Sequence, residues 1–184
     1  MKSKSIRLTG NSYAVLALLD QCGGEATSYE LKQALEVSVE NFWPVPHTTA
    51  YEEPARLAAG GYLTARQEAG GRRKRVYALT DAGRAALTAW AADPAVAPPQ
   101  LREEAVLKIF AGAEPGPLLD SRVAWHQGKQ AELEGYLEGV RGIEGMERSE
   151  RTLLVGITYH EKMLELLELM AEPGAVGSGA SARG

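Results

Sequence analysis

Apolar positions recur at three- and four-residue steps along most of this chain, broken by glycines and prolines, and that spacing predicts a mainly helical protein. A first helix is expected over residues 9–21, with Tyr13, Leu16 and Ala17 on one face and Val15, Leu18 and Leu19 widening it. Gly23-Gly24 stops it. Thr27 and Glu30 have the spacing of a capping box, which opens a second helix running to about Glu40 with Leu31, Ala34 and Leu35 inward. Phe42-Trp43 is expected to pin the next turn as core aromatics.

The period then changes in an informative order. Ala50, Pro54, Leu57 and Ala58 form the inward stripe of a third helix. Pro46 suits its entrance, and Thr48 and Thr49 can cap its N–H groups. Gly60-Gly61 ends it. Pro54 removes one N–H from within it, and so either kinks it or marks its first turns. Residues 62–66 and 76–80 have strand composition, and Gly70-Gly71 between them permits a tight turn. A fourth helix follows, capped by Thr80 or Asp81 and running to about Ala92, with Leu87 and Trp90 on one face.

Residues 93–99 hold three prolines and read as a linker. Beyond them, residues 101–111 carry Ala105, Val106, Ile109 and Phe110 as an apolar stripe, and Gly116-Pro117 breaks the chain. Over residues 118–146, Leu119, Val123, His126, Gln130, Leu133, Leu137 and Val140 trace a helical seam. Its interior glycines each cost roughly 1 kcal/mol relative to alanine; they permit close helix approach, or they end the helix near Val140. The last helix, over residues 149–170, has Leu153, Ile157, His160, Leu164 and Leu167 as its seam. These long helices are apolar on more than one side. Pairing with each other leaves a face over, and a second copy of the chain is expected to cover it. Three regions follow: residues 1–93, a winged helix-turn-helix unit; 94–172, a helical dimerisation and effector region; and 173–184, a Gly/Ala/Ser-rich tail expected to be disordered. The first residues, 1–7, are expected to be a flexible arm.

Charge adds a direction. The chain carries a net −4, split as 11 basic and 10 acidic residues in 1–93 against 9 and 14 in 94–184. Within the first part, Arg66, Arg72, Arg73, Lys74, Arg75 and Arg84 face only Glu68 and Asp81 over residues 66–84. Such a cluster is either a solvated surface or a phosphate-neutralising tip. A helix presenting His47, Thr48, Thr49, Tyr51, Glu52 and Arg56 just before this basic hairpin favours a DNA-binding wing. In that reading Tyr51 and Thr49 meet base edges, His47 and Thr48 hold phosphates with the helix-start N–H groups, and the wing grips the neighbouring groove.

Chemistry finds little to work with. His47, His126 and His160 are the only histidines, none with a Cys or His partner at metal spacing, and Cys22 is the only cysteine. No phosphate-binding Gly-rich loop and no Gly-x-Ser-x-Gly occurs. No catalytic residue, metal or cofactor is therefore expected. No membrane span or signal peptide is expected either, and the single cysteine fits a cytoplasmic protein.

In sum these pieces resemble the PadR family of winged-helix transcription regulators. The matching residues are Tyr13-Ala14-Val15-Leu16-Ala17-Leu18-Leu19, Ser28-Tyr29-Glu30-Leu31, Phe42-Trp43, His47-Thr48-Thr49-Ala50-Tyr51, Leu57, Gly60-Gly61-Tyr62-Leu63, Gly71-Arg72-Arg73-Lys74-Arg75-Val76-Tyr77 and Leu79-Thr80-Asp81-Ala82-Gly83-Arg84. The resemblance implies a homodimer, paired through its C-terminal helices, that represses transcription from an inverted-repeat operator in double-stranded DNA. It also implies release by a small aromatic or lipophilic effector, for which Trp90, Phe110 and Trp125 are the candidate lining near the junction of the two parts. Glu52-Glu53-Pro54 departs from the pattern. Acid near phosphate is unfavourable, so Glu52 reads a cytosine amine or points away. The rival class is a winged-helix module that binds protein rather than DNA.

Overall fold

The computed structural model describes residues 6–67, 74–100 and 102–171. The chain divides into two compact units, residues 1–97 and 98–184.

The first unit begins with α1 (Gly10–Gln21). Thr9 caps it through a reciprocal box with Ser12: the Ser12 N–H bonds the Thr9 hydroxyl oxygen, and the Thr9 N–H bonds Ser12 Oγ at 2.8 Å. Gly23 and Gly24, at φ of +79° and +97°, turn the chain into β1 (Glu25–Thr27). Helix α2 (Ser28–Val37) opens on the expected Thr27–Glu30 box, its Thr27 N–H bonding Glu30 Oε2 at 2.7 Å. It ends three residues early, and Val39–Asn41 forms a single tight turn. Then come α3 (Thr49–Ala59), β2 (Leu63–Gln67), β3 (Arg75–Leu79) and α4 (Asp81–Ala92).

The sheet is antiparallel in the order β1-β3-β2, with Ala26 opposite Tyr77 and Ala65 opposite the same residue on the other side. The two-stranded wing is thus part of a three-stranded sheet. At three residues, β1 is too short to show an alternation, and only its pairing with β3 makes it a strand. Val15, Leu16, Leu19, Leu31, Leu35, Ala50, Leu57, Leu63 and Tyr77 form one buried core from the helices and the sheet. Ile6 and Leu8 pack against it, so the expected arm does not reach Ile6; its residues 1–5 lie outside the described residues.

One junction binds β2 to α4. Thr80 Oγ1 accepts from the Gly83 N–H and donates to the carbonyls of Gly61 (2.8 Å) and Tyr62 (2.9 Å). A Cβ on Gly83 would lie 2.2 Å from the Tyr62 carbonyl oxygen, so any side chain there forces the backbone to shift. Phe42 and Trp43 are half-exposed rather than core. Trp43 still pins its turn: its indole N–H donates to Asn11 Oδ1 at 3.0 Å, and its ring covers Gly10.

The second unit holds α5 (Glu104–Phe110), α6 (Pro115–Val140) and α7 (Glu147–Ala171). Gly116-Pro117 does not break the chain. With Pro115 it forms the first turn of α6, where a missing proline N–H costs no helical bond. The glycines inside α6 are tolerated, and the helix ends at Val140, before Gly142 at φ +74°. Helices α6 and α7 pair as a hairpin, burying Leu119, His126, Leu133 and Leu137 against Leu153, Gly156, His160, Met163 and Leu167. Of the α5 stripe only Ala105 is buried; Phe110 is 88% exposed. No helix among the described residues is long and apolar enough to cross a membrane.

Candidate nucleic-acid interface

Helix α3 has a clear inside and outside. Ala50, Pro54 and Leu57 are buried, as their spacing required, and the ring of Pro54 is wholly enclosed. His47, Thr48, Tyr51 and Glu52 are exposed. Glu52 therefore points outward and Glu53 inward, which decides the face of the acidic pair. Neither threonine caps with its side chain: Thr48 takes a helical φ of −68° as N-cap without a side-chain bond, and the first turn is closed by backbone bonds from Thr49 N to Pro46 O (2.8 Å) and Glu52 N to Thr48 O (2.9 Å).

Two residues expected to face a groove do not. Thr49 is buried beside Ala50, because helix start and helix stripe place it on the same side as the core. Arg56 is folded back along α3. Its Nε donates to Glu53 Oε2 at 2.8 Å and its Nη2 to Glu53 Oε1 at 2.6 Å. Nη2 also donates to Ser12 Oγ at 2.8 Å, and Nη1 to the Arg7 carbonyl at 3.0 Å. Burial by itself would raise the Glu53 carboxyl; hydrogen bonds from Arg56 and Ser12, and the Arg56 charge, outweigh it and hold it below the usual glutamate range.

Lys74 and Arg75 are exposed where β3 begins, beside Gln67 at the end of β2. Arg72, Arg73 and the Gly70-Gly71 turn lie outside the described residues. Arg66, on the same ribbon, is held by Glu25 at 2.9 Å. What α3 and the ribbon jointly present is a short polar row, His47, Thr48, Tyr51 and Glu52, and a basic ribbon end.

The aromatic candidates for an effector belong to both units. In the first unit Trp90 stacks on Tyr13, centroids 4.5 Å apart and the rings nearly parallel, joining α4 to α1. In the second unit Phe110 is exposed, while Trp125 lies under the Arg122 guanidinium at 4.4 Å. Trp125 also belongs to a cluster that spacing alone did not assemble. His126 and His160 are buried with their Nδ1 atoms 2.8 Å apart, and Trp125 and Tyr159 ring them. Arg122 bridges to Glu103 at 2.7 Å. The signal was present as two histidines on apolar seams; their meeting depends on how the hairpin closes.

An antiparallel ribbon flanking a polar-faced third helix over a helical core makes the first unit a winged helix-turn-helix domain. The model of the PadR-like family of transcriptional regulators matches residues 15–89, the span of this unit from within α1 into α4. Over 133 residues the chain is 28% identical to the negative transcriptional regulator PadR of Bacillus subtilis, covering 68% of this chain and 72% of that one. The structure of Bacillus subtilis PadR in complex with operator DNA superposes with a TM-score of 0.75 at 21% identity, covering 90% of this chain and 98% of that one. The complex of the same protein with p-coumaric acid gives 0.68 at 21% identity, covering 89% and 96%. At that identity the two superpositions speak for the fold.

Proposed function

We propose that this transcriptional regulator acts as a homodimeric repressor that binds an inverted-repeat operator in double-stranded DNA and is released by a small aromatic or lipophilic effector. The observation that carries the DNA reading is the outward row His47, Thr48, Tyr51 and Glu52 at the start of α3, next to a ribbon ending in Lys74 and Arg75. An α-helix fits the major groove with its N-terminal residues at base edges. Tyr51 is the base reader. His47, Thr48 and the first backbone N–H groups hold phosphates, and the ribbon's cations, with Arg72 and Arg73 between β2 and β3 in the sequence, neutralise the backbone alongside. Glu52 accepts from a cytosine amine.

Dimerisation follows from what the hairpin leaves uncovered. With Leu153, His160 and Leu167 consumed by α6, helix α7 still exposes Leu154, Val155, Tyr159, Leu166 and Leu169. A second copy covers such a row by two-fold symmetry. Two α3 helices about 34 Å apart then enter successive major grooves, and repression is steric. The effector class is taken from the p-coumaric acid complex of the Bacillus subtilis relative; Trp125, half-exposed beside Arg122, and Trp90 are the aromatic surfaces proposed for it.

The test is fluorescence anisotropy of the purified protein on DNA upstream of its own coding sequence and on a scrambled duplex, at two salt concentrations. Tight binding to the first, weakening steeply with salt, is the expected result. Equal, weak binding to both, together with no sequence recovered from a random pool, rejects it and favours a winged helix that binds protein.

A further inference from the structure

Arg56, its side chain 37% exposed, directs most of its N–H donors back into the protein. Four of its donor contacts go to Glu53, Ser12 and the Arg7 carbonyl, all at 2.6–3.0 Å. Glu53 is mostly buried, its side chain 13% exposed, so an Arg56 that left to meet a phosphate would strand a carboxylate in a poorly hydrated place. Ser12 is fully buried and is itself held by the Thr9 N–H. A continuous set of directional bonds therefore runs from the N-terminal cap of α1 to the middle of α3.

The apolar contacts of Ala50 and Leu57 press α3 onto the core, but burial is non-directional and resists rotation of a helix about its axis only weakly. A two-pronged guanidinium–carboxylate pair is directional. On a helix of about 5–6 Å radius a turn of about 10° carries an outward side chain about 1 Å. That exceeds the roughly 0.5 Å within which a recognition constellation has to be held.

We propose that Glu53 and Arg56 are positioning residues, whose ion pair, anchored on Ser12 and the Arg7 carbonyl, sets the rotation of α3 and with it the register of His47, Thr48 and Tyr51 on base edges. This rests on the DNA-binding reading of α3. It assigns Arg56 no contact with DNA and gives the inward half of Glu52-Glu53-Pro54 a task in sequence discrimination.

Arg56→Lys keeps the charge and loses the fork. Ser12→Ala keeps every charge and every outward residue and removes the anchor. The probes are a duplex selected by the unmodified full chain from a random pool and a scrambled duplex, with binding measured over a salt series well below each variant's unfolding midpoint. Both variants are expected to lower the ratio of selected to scrambled affinity about tenfold, the worth of one good base contact. Affinity for the scrambled duplex and the log–log salt slope stay unchanged, which mere loss of folded protein would not produce. Should Ser12→Ala not fold, Arg56→Lys decides alone. An unchanged ratio in the folded variants overturns the proposal. So does an Arg56→Ala chain that binds both duplexes equally more weakly with a slope flattened by about 0.9, the mark of a phosphate contact. If the unmodified chain selects no sequence at all, the DNA reading itself fails and the proposal falls with it.

Discussion

His126 and His160 meet across the α6–α7 hairpin with their Nδ1 atoms at hydrogen-bond distance, 2.8 Å. Arg122, which can only donate, lies 3.5 Å from His126 Nε2. His126 therefore carries its proton on Nδ1 and gives it to His160 Nδ1, and both rings are neutral. A proton added to His160 Nδ1 would face the His126 N–H; one added to His126 Nε2 would face the guanidinium.

The hairpin should accordingly weaken in mild acid. Burial, then the neighbouring His126, Lys129 and Arg122, lower His160 from its ordinary 6.5 to about 4, and His126 is lowered by burial and Arg122 against an opposing pull from Glu103. Between the two His160 values the unfolded chain holds a proton that the folded one lacks. Stability is complete above about pH 6.5, falls by at most roughly 1.4 kcal/mol per pH unit for the His160 proton as pH drops, and levels off below about 4. Hydrogen exchange of the α6 and α7 amides, corrected for intrinsic rates, should show this loss at pH 5 relative to pH 7. His160→Gln should flatten it.

Tyr51 stands half-exposed on the outward row of α3, clear of the core. Tyr51→Ala should leave the unfolding midpoint nearly unchanged and reduce the preference for a selected duplex over a scrambled one by about 1–3 kcal/mol. Competition binding measures it, and an unchanged preference removes Tyr51 from the interface.

Lys74 and Arg75 should act through charge. Lys74→Ala with Arg75→Ala is expected to weaken selected and scrambled duplexes alike. The log–log salt slope should fall by about 0.9 for each phosphate no longer neutralised. A salt titration of both duplexes is sufficient, and a loss confined to the selected duplex would mean that the ribbon reads bases.

Gly83 packs directly against backbone. Gly83→Ala places a methyl 2.2 Å from the Tyr62 carbonyl oxygen, so backbone must move, and a loss of about 1–3 kcal/mol is expected. Thr80→Ala removes the cap on the same junction and should cost about 1 kcal/mol. Denaturant unfolding should rank them in that order, although Ala is the better helix former.

Periodicity alone determined where the helices run. The Thr27–Glu30 box, the Thr80 cap, the inward stripe of α3 and the seams of α6 and α7 were all legible, because each depends on residues within a turn or two of one another. The order of polar helix, ribbon and basic turn likewise pointed to the family before any coordinate did. Tertiary structure decided everything that needs two distant segments. Three residues at Glu25 become a strand only because β3 passes beside them. Arg56 is held to Ser12 of α1 and to the Arg7 carbonyl just before it, both more than forty residues earlier in the chain. His126 and His160 are 34 residues apart, each an unremarkable seam position until the hairpin closes and brings their Nδ1 atoms to hydrogen-bond distance. Local spacing encodes which face is apolar; which polar group lands on which partner is set by packing, where burial makes each unpaired donor or charge expensive and so selects the pairs that survive.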